Sequence, residues 1–185
     1  MELSFDDASI DAGEKFVNKY MSPGNHKVKV IEVVKGLSAQ KGSPFVRITV
    51  ENEAKETCSN EYYLNGGAWN ISKSSILTVV TAALNTDEAA AKSKLDGLTS
   101  ENIDSKLSSL LVGKHLAMTI SGEWVNPSDT SKKPFVKSVF GRSGAGYFFA
   151  LPLNRFNELN SKVYIKGEAI SVSETQQSMS NDLGW

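Results

Sequence analysis

A chain of 185 residues, 40% hydrophobic and 22% charged, has room for one globular domain with elaborations and enough apolar mass for a core, while two full domains would be cramped. Its single cysteine, Cys58, excludes an internal disulfide framework and fits a reducing compartment. A net charge of −1 exerts no overall pull on a polyanion, so any nucleic-acid contact has to come from uneven distribution of the charge.

No basic segment followed by an apolar one opens the chain, and no apolar run approaches the roughly 20 residues that span a bilayer. A soluble, cytoplasmic protein without a membrane partner is expected. Residues 1–25 mix the acids Glu2, Asp6, Asp7, Asp11 and Glu14 with Phe5, Ile10, Phe16, Val17 and Tyr20, and Ser22-Pro23-Gly24 is a turn signal. They form an N-terminal arm or short helix.

From His26 to Asn52 the chain reads as two amphipathic strands joined by a basic loop. In the first, Val28 and Val30 alternate with Lys27 and Lys29, and the phase breaks at Ile31 and Val33 as a β-bulge makes it do. In the second, Val46, Ile48 and Val50 face one way and Phe45, Arg47 and Thr49 the other, which leaves Phe45 exposed unless a helix covers it. A bulged, strongly curved strand suits a small closed barrel. Glu56 to Asn65 is a third strand, with Thr57, Ser59, Glu61 and Tyr63 alternating against Cys58, Tyr62 and Leu64, and Gly66-Gly67 breaks it.

The period then changes. Ile76, Val79, Val80, Ala83 and Leu84 predict an amphipathic helix over Asn70 to Leu84, and the alanine-rich Thr86 to Lys94 is helical too. A further helix runs from a Thr99 cap through Ile103, Leu107, Leu110 and Leu111 to Gly113. Strands return at Lys114 to Val125 and Pro134 to Phe140. Gly141, Gly144 and Gly146 form a flexible loop, Tyr147 to Leu153 is apolar, and Lys162 to Ile170 alternates as a late strand. From Ser171 the composition turns polar, so residues 171–185 form a flexible tail with an Asp182-Leu183-Gly184-Trp185 tip. Residues 26–170 are then one mostly β domain with a helical insert. Three strands, helices between strands 3 and 4, and two more strands is the order of an OB-fold-like five-stranded barrel.

Catalytic chemistry lacks residues. His26, His115 and Cys58 supply no paired metal-ligand spacing, Gly141 to Gly146 has no Lys-Ser/Thr pair after it, and the carboxylates sit in solvent-facing sequence. No enzyme activity and no cofactor are expected. Binding has more to work with. Lys27, Lys29, Lys35, Lys41 and Arg47 stand against one acid, Glu32, and Lys132, Lys133, Lys137 and Arg142 against none. Cations interleaved with rings make a single-strand surface, phosphates going to the cations and bases stacking on the rings. Phe45 shares a face with Arg47 and Phe135 with Lys137; Tyr62, Tyr63, Trp69 and Trp124 are further candidates. Cations and rings are expected on one outward surface, with the acids on the far side and at the ends.

Ser22-Pro23-Gly24-Asn25-His26-Lys27-Val28-Lys29-Val30, the run from Lys41-Gly42-Ser43-Pro44-Phe45-Val46 to Val50, the strand–helix–strand order behind them and the Asp-Leu-Gly-Trp tip resemble the phage-type single-stranded DNA-binding proteins. The resemblance implies an OB-fold that coats single-stranded DNA in replication, recombination and repair, in the host cytoplasm, with Lys27, Lys29, Lys41, Phe45 and Arg47 in the DNA groove. It also implies a tip, Asp182, Leu183 and Trp185 here, that recruits replication or recombination proteins. The tip departs from the family pattern, which is richer in acids and usually ends in Phe. A homo-oligomer stays open. The rival expectation is an adaptor module that binds other proteins through the barrel edge and the C-terminal peptide.

Overall fold

Alternation dictates the sheet, and one irregularity bends it. The computed structural model describes residues 20–128, 132–139, 150–159 and 165–167. In order these give β1 (Gly24–Leu37), β2 (Pro44–Asn52), β3 (Thr57–Tyr63), helices α1 (Gly66–Leu84), α2 (Glu88–Leu95) and α3 (Ile103–Leu111), then β4 (His115–Val125), β5 (Phe135–Val139) and β6 (Ala150–Pro152). A 3-10 segment (Leu153–Glu158) and β7 (Ile165–Lys166) follow. The sheet order is β3-β2-β1-β4-β5, with β6 and β7 also on β4; these pairings are antiparallel except β4 with β7.

β1 pairs with β4 through residues 24–29 and with β2 through residues 28–37, and its register to β2 shifts between Val30 and Glu32. Ile31 is the extra residue, and such a bulge bends and twists its strand. Val28, Val30, Val33, Val46, Ile48, Val50, Leu116, Met118 and Ile120 therefore all face one core, closed from the other side by Ile76, Val79, Val80, Ile103, Leu107 and Leu111 of α1 and α3.

The helices follow their local signals. Asp87 caps α2 by accepting a bond from the Ala90 N–H at 2.8 Å, Glu88 lies in its first turn and Lys92 and Lys94 in its last, as the helix dipole favours. Thr99 and Asn102 exchange side-chain-to-backbone bonds ahead of α3. Asn85 ends α1 in the left-handed region at φ 48°. Gly66 and Gly67, expected to end a strand, instead open α1, so the helix begins four residues before the expected start at Asn70.

The expected closed barrel is an open sheet. The sheet rolls far enough to bring β5 within 8 Å (Cα–Cα) of β3, but among the described residues no ladder joins them. β5 is only five residues long and pairs with Ser121–Val125, the end of β4 beyond β1. Of the expected late strand residues 165–167 are described, of which Ile165–Lys166 form β7, and the apolar Tyr147–Leu153 run contributes β6. Residues 1–19 of the arm and the whole tail lie outside the described residues.

The roll depends on close contact at Gly122, where an added Cβ would lie 2.5 Å from Val136 Cγ1 and 2.8 Å from Pro23 Cγ. Gly122→Ala should lower stability by about 1–3 kcal/mol through overpacking. A urea titration reads this as a lower midpoint with an unchanged slope; an unchanged midpoint would mean that β5 can shift freely on β4.

Candidate nucleic-acid interface

The outward face of β1, β2 and β3 is built of four cross-strand rows, the first setting Lys29 beside Glu51 and Thr57. The register sets Glu32 beside Thr49 and Ser59, Val34 beside Arg47 and Glu61, and Gly36 beside Phe45 and Tyr63. In the last row Gly36 has a packing purpose: a Cβ there would stand 2.7 Å from Phe45 Cζ, so only glycine lets the ring lie over β1. Phe45 meets Tyr63 edge to face, with centroids 6.1 Å apart at 72°, and carries the Arg47 guanidinium 5.2 Å above its centroid.

Arg47 Nη2 donates to Glu61 Oε1 at 2.8 Å and the Tyr63 hydroxyl donates to Glu61 Oε2 at 3.1 Å. The carboxylate stabilises the protonated phenol, so the Tyr63 pKa is raised, chiefly by this bond. Leu37, Ser38, Ala39, Gln40, Lys41 and Ser43 of the β1–β2 connection stand over this patch, and together they enclose a cleft of ≈670 Å³ that reaches Asn65 and Ala68 at the start of α1. A second cleft of ≈360 Å³ continues along α1 past Ile71, Ser72 and Ser75; both are lined by Glu61, Tyr63 and Ala68.

The structure sorts the candidates. Lys41 and Arg47 line the first cleft with Phe45 and Tyr63. Phe45 lies on the expected face but is only 5% exposed, because Gly36, Arg47 and Tyr63 enclose it; it is the floor under Arg47 and offers no open ring. Tyr62 is 1% exposed and belongs to the core, opposite Val46, and burial pushes its pKa up. Tyr63, one residue on, is the outward ring. Lys27 and Lys29 are exposed on the outward side of β1, Lys27 with its Nζ 5.4 Å from the Phe156 ring centroid and Lys29 in register with Glu51 and His115.

Lys35 leaves the outward face: past the bulge it falls on the side of Val33, and its Nζ donates to the Ser100 and Glu101 carbonyls. Trp69 packs half-buried against the core beside Leu64, Leu98 and Ile103, and Trp124, in register with Val136, lies opposite the outward line of β4. Neither reaches the cleft. Phe135 is 53% exposed and with Lys137 shares the outward line of Glu123 and Val125; Lys132 and Lys133 are exposed just before it. Arg142, Asp182, Leu183 and Trp185 lie outside the described residues.

Nor are the acids confined to the far side. Glu32, Glu51 and Glu61 share the outward face with Lys29 and Arg47 because alternation places them there, whatever their sign. Glu61, which charge counting sets among the acids, bonds both Arg47 and Tyr63 and lines both clefts; its parity with Tyr63 in β3 is the signal that places it there. Among the described residues no group of three or more His, Cys, Asp or Glu could hold a metal ion, and no helix is long and apolar enough to cross a membrane.

Because the Tyr63 pKa is raised, the Tyr63–Glu61 bond supports the folded state below the ordinary phenol pKa, and that support fades as pH rises through the raised value. Glu61→Ala should therefore bring the Tyr63 titration back toward the ordinary value, read by NMR of ring-labelled tyrosine against pH. A Tyr63 titration that stays put would contradict the bond. Comparison with protein-family models gave no match, and neither did comparison with curated proteins.

Proposed function

We propose that this protein binds single-stranded DNA along the outward face of β2 and β3, without catalysis and without strong sequence preference. The observation that carries this is the first cleft, where the Tyr63 ring, the Arg47 guanidinium and Lys41 line one trough under the β1–β2 loop. Single-strand grooves combine those parts, cations for phosphates and rings for bases. Arg47 uses one N–H on Glu61 and its side chain is 40% exposed, so further donors of its guanidinium face solvent.

The fold we propose is an OB-type barrel. The order β3-β2-β1-β4-β5 with helices between β3 and β4 is that of such a barrel cut between β3 and β5, and OB-folds use the face of strands 2 and 3 with the adjoining loops for oligonucleotides. Phe135, Lys137, Lys132 and Lys133 then extend the surface past β3, since β5 approaches that strand. Among the described residues the only ladder of β3 is with β2, apart from the Tyr20–Thr57 bridge, and this edge, with Leu37 70% and Ile71 53% exposed, supports a second reading, an adaptor that receives a partner strand.

Titration of a labelled oligo-dT at two salt concentrations tests the first. Affinity should fall steeply with salt; Lys41→Glu and Arg47→Glu should each weaken every sequence alike, with a salt slope smaller by about one. Tyr63→Ala should cost about 1–3 kcal/mol of binding. No binding in low salt would overturn the proposal and leave the adaptor.

A further inference from the structure

We propose that Glu61 is an internal competitor for the strand's phosphates, a carboxylate that occupies Arg47 until DNA displaces it. The inference rests on the reading of the cleft as a single-strand site. Glu61 lines both clefts, so a strand passing from the first into the second along α1 must cross it. Both of its oxygens are engaged, Oε1 by Arg47 and Oε2 by Tyr63, the two groups that would otherwise meet a phosphate and a base.

Stability gives little reason for such a pair. An exposed ion pair contributes little to folding, and the Glu61 and Arg47 side chains are 34% and 40% exposed. Binding is where the carboxylate acts, since it neutralises the Arg47 guanidinium and so denies that cation to an entering phosphate. Arg47 is also held against the Phe45 ring, 5.2 Å from its centroid, so Glu61 can be displaced while the guanidinium keeps its place. The free site is then neutral at its centre and becomes cationic only when a ligand supplies enough phosphate and stacking to replace the carboxylate. Weak, short or lone anions are turned away; a long strand is not.

The test compares wild type, Glu61→Gln, Arg47→Gln and the double variant in oligo-dT anisotropy titrations at two salt concentrations, with circular dichroism to show that each is folded. Gln is nearly isosteric and can still bond Tyr63, so the strand face should survive. Glu61→Gln should bind about two- to fivefold tighter with a salt slope steeper by about one. In the Arg47→Gln background the same change should have no effect, because the carboxylate acts through Arg47. Unchanged or weaker binding by Glu61→Gln overturns the inference, and so does an equal gain in both backgrounds, which would mean general repulsion. Wild type that binds while Glu61→Gln behaves identically sinks this inference alone. Failure of all four to bind in low salt removes the DNA site itself.

Discussion

Strand β1 has to serve two partners, β4 along its first half and β2 along its second, and the extra residue at Ile31 allows it. A regular strand of fourteen residues would hold its neighbours in one gently twisted sheet; the bulge turns it, so the sheet rolls over the core. The same residue resets side-chain parity. Lys27 and Lys29 point outward before it, while Lys35 beyond it shares the core side with Val33 and ties the strand end to the Ser100 and Glu101 carbonyls. The position of every cation on β1 follows from that one insertion.

On the outward face, packing organises charge. The missing side chain of Gly36 lets Phe45 lie against β1, Phe45 supports Arg47, and Glu61 fixes both Arg47 and Tyr63. A guanidinium held by a ring beneath and a carboxylate beside it has lost rotamer freedom before any ligand arrives, which reduces the ordering cost of binding. The magnitudes favour displacement: a base stacked on an aromatic ring is worth about 1–3 kcal/mol, an exposed ion pair about 0.2–1 kcal/mol. A strand that reaches Tyr63 therefore gains more than it spends on releasing Glu61.

Much of this was legible in the sequence. The opposed sets Val46-Ile48-Val50 and Phe45-Arg47-Thr49 gave the two faces of β2, the broken phase at Ile31 gave the bulge, and the change of period after Asn65 gave the helices between β3 and β4. Parity in β3 already set Tyr63 with Glu61 and Tyr62 with Cys58, but choosing rings by type brought in Tyr62, which the core holds. What alternation cannot reveal is distance across strands. That Gly36 lies under Phe45, that Glu61 meets Arg47 and that Lys35 bonds to carbonyls some 65 residues away are facts of register and roll. The tryptophans stand away from the cleft for a similar reason: Trp69 sits on a helix whose inner side is core, and Trp124 on the side of β4 away from Phe135.

Amide chemical shifts of the labelled protein titrated with oligo-dT test the central claim most directly. The outward face of β2 and β3 is the binding surface in this account, so perturbations should concentrate in residues 37–47 and 60–72, with smaller ones along β5. Perturbations confined to α2 and α3, or spread evenly over the molecule, would contradict it.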